Sequence, residues 1–281
     1  NYGFFIVYSI IGLVAGACLV MYLGELMTES GIGNGASLLI FVGIISQMPA
    51  YVKNSYSLIQ SGTSTFSVLL MLSVLVLVVV GIVIVQEAQR KISVQYAKRI
   101  VGRKMYGGQS TYIPLRLIQG GVLPIIFASA LLQFPLLVSS FIPVEAIQVF
   151  FNRYYTYDGF LYNGMFCVLI FFFTYFYTAI SFNPVDLSQN IKKYGGFILG
   201  VRPGKPTEKH LEQIVTKLTF FGAVCLSVIA LVPIISASLT NVNSFMGLGG
   251  TALLIIVGVS LDLLKQIDAF ILQKEYEGMA G

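Results

Sequence analysis

Charge is what this sequence has least of. Only 10% of its 281 residues are Asp, Glu, Lys or Arg, against about 25% in an ordinary soluble domain. In the same chain 56% of residues are hydrophobic and mean hydropathy is +0.84. That balance excludes a soluble single domain. It also excludes disorder, because so apolar a chain lacks the composition that keeps segments solvated. Cysteine is scarce too: Cys18, Cys167 and Cys225 each sit inside an apolar run, outside any CxxC or Cys/His cluster, and read as small buried hydrophobes rather than a disulfide framework. The single histidine, His210, has no partner at ligand spacing, so a zinc site lacks its donors. No Ser/His/Asp or Cys/His set and no paired carboxylate lies in an apolar stretch, which leaves hydrolytic chemistry without candidates. A phosphate loop is excluded in GGFILGVRPGKPTEKH, since Gly200 and Gly204 are separated by three residues rather than four and Pro206 stands where a magnesium-holding Ser or Thr would be.

Lipid is therefore the solvent for most of the chain, and the fold class is an all-α polytopic membrane protein. A spanning helix needs about 20 apolar residues. Seven uncharged stretches approximate that length: Phe4 to Leu23, Ala36 to Val52, Phe66 to Gln86, Gly120 to Ile142, Phe160 to Phe182, Leu218 to Leu239 and Phe245 to Leu261. The second is short and meets Pro49 near its end. Of the 17 Lys and Arg residues, seven fall in 87–119 and six in 183–217. Two spans separate these loops, so they share a side, and the positive-inside rule makes it cytoplasmic together with the tail 262–281. An odd span count puts Asn1 on the far side, with no initiator Met and no basic region before the first apolar run. The expectation is a chain that begins partway through a longer membrane protein, rather than one opening on a signal peptide.

All twelve acidic residues lie outside the apolar cores. Ion-coupled carriers and proton pumps keep an ionisable group in mid-membrane despite a cost of roughly 2.5 to 3.5 kcal/mol, because that group binds or relays the ion. A neutral-solute carrier or a channel with an apolar constriction remains. The fourth span, GGVLPIIFASALLQFPLLVSSFI, contains Pro124 and Pro135, each of which removes a backbone donor and can kink a helix. Ser129 and Gln133 are four apart and share a face, which suits either interhelical hydrogen bonding or a polar seam at a gate. Gly12 and Gly16 form a GxxxG, a weak packing signal. The loop 87–119 alternates as short strands do, with Gly107 and Gly108 marking a turn. Its bases, Arg90, Lys91, Lys98, Arg99, Arg103, Lys104 and Arg116, serve either orientation and anionic lipid heads or the docking of an acidic or nucleic-acid partner.

Five strings then converge: GELMTESGIGNGASLLIF, VQYAKRIVGRKMYGGQSTYIPL, GVLPIIFASALLQFP, GFILGVRPGKPTEKHLE and GGTALLIIVGVSLDLLKQIDAFILQKEYE. Together, and in order over essentially the whole chain, they resemble the SecY family, the central subunits of the bacterial Sec protein-conducting channel. The resemblance implies an inverted-repeat ten-helix channel, opening across the membrane for secreted chains and sideways for signal sequences and membrane segments. It places the start of this chain at the fourth of ten spans. Residues 1–65 would then be the last two helices of the first half with the external loop after them, and 66–281 the second five-helix half with its two basic loops and tail. The first three helices and the plug would come from elsewhere.

The resemblance also assigns residues. The apolar pore ring maps onto Ile40, Ile126 and Ile255, with Ala36 at a position where the family has isoleucine, a change that softens the ring unless Leu39 compensates. Such a collar dewets when empty and blocks ions, yet yields to a passing chain because aliphatic side chains make no directional bonds. Phe134 maps onto the lateral gate, beside Ser129 and Gln133. Arg202, with Lys205 near it, aligns with the arginine needed by the SecA ATPase, and Arg103 and Lys104 with bases that meet the ribosome. Implied partners are SecE, SecG, SecA, the ribosome, signal sequences, secretory and membrane polypeptides, and membrane lipids. No cofactor or metal and no enzymatic activity is implied. The implied location is the bacterial plasma membrane, with the thylakoid as the lesser alternative. A secondary carrier for a neutral solute and a membrane scaffold recruiting a soluble protein are the competing functions.

Overall fold

The computed structural model describes residues 2–29, 34–60, 64–96, 99–101, 104–106, 110–141, 148–149, 151, 154–156, 159–240 and 249–280. The elements are α1 (Tyr2–Glu29), α2 (Gly35–Ile45), α3 (Met48–Gln60), α4 (Thr65–Glu87), β1 (Gln89–Tyr96), β2 (Arg99–Val101), β3 (Lys104–Tyr106), β4 (Ser110–Arg116), α5 (Leu123–Phe141), α6 (Phe160–Ser181), α7 (Pro184–Lys193), β5 (Gly196–Ile198), α8 (Lys205–Thr240) and α9 (Gly250–Ala280). Five helical stretches are long and apolar enough to cross a membrane: α1, α2 with α3, α4, α6 running on into α7, and α8. The apolar part of α5 is shorter, Leu123–Ser139. The apolar run that opens α9 at Gly250 falls within the seventh expected segment, whose residues 245–248 lie outside the described residues.

The helix α4 shows why the chain needs lipid. Its sequence is apolar all round, yet its buried residues are Val68, Met71, Leu75, Val78 and Ile82, a strict three–four spacing along one face. That face meets α8 and α9, while Leu69, Val76, Leu77 and Ile84 stay exposed. A helix that is greasy on its exposed side is solvated by acyl chains. The same spacing recurs in α6, where Tyr162, Phe166, Leu169, Ile170, Thr174 and Thr178 are buried against α5 and α8. These faces form one core, with Met71, Ile82, Ile125, Leu132, Ile170, Leu226 and Leu254 almost completely enclosed.

Glycine allows two close approaches of helix backbones. At Gly250 a Cβ would come within 2.5 Å of the Ala230 Cα and 2.7 Å of the carbonyl oxygens of Ile229 and Ala230. The Ile229 carbonyl is the one that Pro233, lacking an N–H, leaves without its helical donor. At Gly35 a Cβ would fall on the carbonyl of Gly24, and Gly35 N–H donates instead to Thr28 Oγ1 at 2.9 Å, closing the α1–α2 corner. The GxxxG pair contributes nothing comparable, because a Cβ at Gly12 or Gly16 would meet no atom within 4 Å.

The second span is two helices rather than one. It breaks at Ser46–Gln47, before Pro49, and α3 resumes with Ala50 N–H donating to Gln47 O at 3.1 Å. The charged ends of two others are helical where loop was expected. With about 1.5 Å per residue, the 36 residues of α8 run well beyond a hydrocarbon core of about 30 Å. The surplus carries Leu211 and Val215 into a second, smaller core. Likewise α9 continues through 262–280, so the tail is a rod and not a free end.

That second core joins the two basic loops. Strands β1 and β4 pair antiparallel from Gln89↔Arg116 to Gln95↔Ser110, and β5 pairs along the other edge of β1, Val94↔Ile198 to Tyr96↔Gly196. Alternation puts Ile92 and Val94 on one face, against Leu115, Ile191, Ile198, Leu211 and Val215. Loops far apart in sequence thus share one three-stranded sheet, with the β2–β3 hairpin between β1 and β4 in the chain.

Candidate functional site

At the sheet end of the bundle, the first turn of α2, the start of α5 and the middle of α9 enclose a vestibule of about 150 Å³ lined by Asn34, Ser37, Gly121, Val259, Asp262 and Gln266, among others. Its α9 wall is part of a longer stripe. Ala252, Ile255, Val259, Asp262 and Gln266 recur at three–four spacing and therefore lie on one face. Ala252, Ile255 and Val259 are buried, yet none of them belongs to the main core, which α9 enters through Leu253, Leu254 and Val257. The stripe is apolar through Val259 and turns polar at Asp262. Gln266 Oε1 is buried with no hydrogen-bond partner among the described residues.

The collar candidates lie one helical turn beyond this vestibule. Ile40 follows Ser37 by three residues on α2, Ile126 on α5 follows Val122, just before that helix, by four, and Ile255 precedes Val259 by four on α9, which runs the opposite way. All three offsets point away from the sheet. α9 packs against both α2 and α5. Of the three, Ile255 is 8% exposed, Ile126 half-buried and Ile40 39% exposed, so the α2 candidate is the most open. Ala36 is exposed in the first turn of α2, close to α1: a Cβ on Gly24 would lie 3.7 Å from the Ala36 Cβ.

Farther from the sheet, a cavity of about 390 Å³ opens between α5, α6, α8 and α9, lined by residues including Ser129, Gln133, Tyr162, Phe166, Ile234 and Thr251. The two polar residues of the proline-containing span do share its wall. The Ser129 hydroxyl donates back to Ile126 O at 2.9 Å, so it is committed to its own helix. Phe134 points elsewhere and is 60% exposed. The α5 helix is also tied from outside: the hydroxyl of Tyr155, on the segment between α5 and α6, donates to Leu132 O at 2.9 Å. Burial pushes the Tyr155 phenol above its ordinary value. Tyr162 and Phe166 on α6 and Thr251 on α9 carry no local sequence signal, since the two helices meet at this cavity only in the folded bundle.

The basic candidates lie on the sheet side. Arg202 is exposed in the turn between β5 and α8, and the backbone around it is fixed. Its carbonyl accepts from Thr207 Oγ1 at 2.8 Å, and the Gly204 carbonyl accepts from Ser188 Oγ at 3.0 Å. Gly204 adopts φ +107°, which an L side chain would strain. Lys205 is exposed at the first position of α8. Lys104 is in β3, paired with Val101, and its side chain, like all of Arg103, lies outside the described residues.

A family model described as SecY matches residues 1–264. The chain is similar to the protein translocase subunit SecY of Thermotoga maritima, 43% identical over 274 residues covering 98% of this chain and 62% of that one. It is likewise similar to the SecY subunits of a Synechocystis species (44%, covering 99% and 65%) and Aquifex aeolicus (44%, covering 97% and 63%). The chain thus spans somewhat less than two thirds of the length of these relatives. Among solved structures, its fold is similar to one described as showing that the plug domain of the SecY protein stabilizes the closed state of the translocation channel and maintains a membrane seal. The TM-score is 0.61 at 16% identity, covering 89% of this chain and 63% of that one. A second, described as the structure of a protein conducting channel, gives 0.59 at 18% identity, covering 89% and 62%.

Proposed function

This chain belongs to the SecY family, and we propose that it forms the larger part of the pore of a protein-conducting channel, passing secretory polypeptides across the membrane and releasing membrane segments sideways. It makes no covalent change to its cargo. A driver outside the bilayer, the SecA ATPase or a translating ribosome, supplies the force by gripping the basic sheet side through Arg202, Lys205, Arg103 and Lys104. SecE and SecG complete the subunit set, and the first three helices of the family fold close the pore on its α2 side. The membrane is the bacterial plasma membrane, with the sheet and the C-terminus in the cytoplasm.

The observation that carries this reading is the α9 stripe. Ile255 and Val259 are buried on a face outside the main core, and Ile126 and Ile40 each follow by about one turn a residue that lines the same vestibule. An apolar ring of this kind excludes ions by dewetting and opens for a chain without breaking a hydrogen bond. Ser129, Gln133 and Phe134 on α5, which carries Pro135 in its interior, form the movable wall through which a signal sequence reaches lipid.

The test uses the full-length subunit with its small partners in sealed vesicles. Addition of the motor, ATP and a preprotein should yield protease-protected product, and omission of the motor should abolish it. Saturable uptake of a small neutral solute without any motor, in vesicles that protect no preprotein, would instead establish a carrier.

A further inference from the structure

Two ion pairs of opposite polarity fasten α9 to the base of the β1–β4 hairpin. Lys265 Nζ lies 2.7 Å from Glu87 Oε1, at the end of α4, and Asp262 Oδ1 lies 4.0 Å from Arg116 Nη1, at the end of β4. Glu87 and Arg116 mark the two stems of the hairpin: Gln89 pairs with Arg116, and Leu117 N–H donates to Ala88 O at 2.9 Å. On α9 the partners are three residues apart, so they sit on neighbouring positions of one face. Sliding α9 by that step would bring Lys265 to Arg116 or Asp262 to Glu87, like charge against like. The arrangement therefore encodes one register between helix and hairpin, a use for which ion pairs are well suited even where they add little stability. The side chains are 41 to 63% exposed, which keeps the stabilising contribution small.

The same helix carries the collar. Ile255 precedes Asp262 by seven residues, two turns along one face, or about 10 Å of rise. Between them α9 crosses the start of α5 and the end of α4 at Gly258, where a Cβ would come within 2.5 Å of Val122 Cγ1 and 2.8 Å of Gln86 Nε2. A stiff rod held at a close crossing, with the hairpin clasped to one end and the seal on the other, moves both together.

We propose that Glu87, Arg116, Asp262 and Lys265 are positioning residues, a charge-coded clasp through which displacement of the docking hairpin moves α9 and loosens the seal at Ile255. The proposal rests on the channel reading above, in which the hairpin docks the driver and Ile255 seals.

The test is a charge swap in the full-length subunit, with variants Glu87→Lys, Lys265→Glu and the pair together, and Arg116→Asp, Asp262→Arg and that pair together. Each is read twice: as resting ion conductance in planar bilayers, and as the distance distribution between spin labels at the exposed positions Gln95 and Leu272. Each single reversal should broaden the distances and raise resting conductance about two- to fivefold, the range an exposed pair can supply. Each swap should restore both, and 1 M salt should flatten the differences. Conductance unmoved by any single reversal overturns the coupling, whether or not the distances change, and swaps no better than their parent singles overturn the charge code. If the parent protein passes no preprotein, it is the channel reading that fails, and the distances still report the clasp.

Discussion

Replacing Ile255 with Asn tests the collar by a polarity change at nearly constant position. The side chain is 8% exposed on the α9 stripe, so in the sealed state the new amide has no water. Burying an amide without a partner costs about 1 to 3 kcal/mol on the mutational scale. In the open state the amide is hydrated and this cost disappears. The open–closed equilibrium should therefore shift by the same 1 to 3 kcal/mol, or about 5- to 150-fold in resting open probability. Single-channel recording of the full-length subunit in planar bilayers reads this directly. Ile255→Leu, a volume-conserving exchange, should stay close to the parent. Leu253→Asn is the companion control, because Leu253 is equally enclosed but faces the main core; it should lower the yield of folded protein rather than raise conductance. Folded Ile255→Asn protein with parental conductance would refute the reasoning.

Three further outcomes follow from the geometry. Gly250→Val should be among the most damaging substitutions in the bundle, since the added atoms meet the backbone of Ala230; a loss of about 1 to 3 kcal/mol should appear as a lower thermal midpoint in detergent. Tyr155→Phe should cost about 1 kcal/mol by leaving Leu132 O without its outside donor. Because burial raises the Tyr155 pKa above its ordinary 10.0, the parent's Tyr155 contribution should be complete below that pH and fall away as pH rises through the raised value, and the Phe variant should lack this alkaline loss. Arg202→Glu should leave membrane insertion intact and weaken motor-driven translocation about tenfold or more, since like charges facing each other across an interface cost several kcal/mol; unchanged protein import would remove Arg202 from the dock.

What the sequence revealed follows the range of the forces involved. The apolar runs and the strands of 87–119 depend on local pattern, and both were legible. The shared sheet was not, because β5 is only Gly196–Ile198 and pairs with a strand some hundred residues away. Charge is a poor sign of where a helix ends: Asp262, Lys265 and Asp268 lie exposed on α9, and the exposed Lys205, Lys209 and Lys217 lie on α8, whose Leu211 and Val215 enter the core under the sheet. Local spacing also suggested Gly12 and Gly16 as a contact, although the close approaches are Gly35 on Gly24 and Gly250 on Ala230, each set by a partner on another helix. For Ser129 and Gln133 the residues alone left two roles open. The structure puts both on a cavity wall, with the Ser129 hydroxyl turned back to its own helix.

The most direct measurement of the central claim is site-specific crosslinking to a preprotein arrested in transit. Cys18, Cys167 and Cys225 are first replaced, and single cysteines are placed at Phe134, for comparison, and at Ile40, Ile126 or Ile255 of the full-length subunit. If these side chains form the ring through which the polypeptide passes, all three should crosslink to the same short stretch of the arrested chain, and only while the motor holds it there. Crosslinks that scatter along the cargo, or that form from exposed Phe134 and not from Ile255, would contradict the claim.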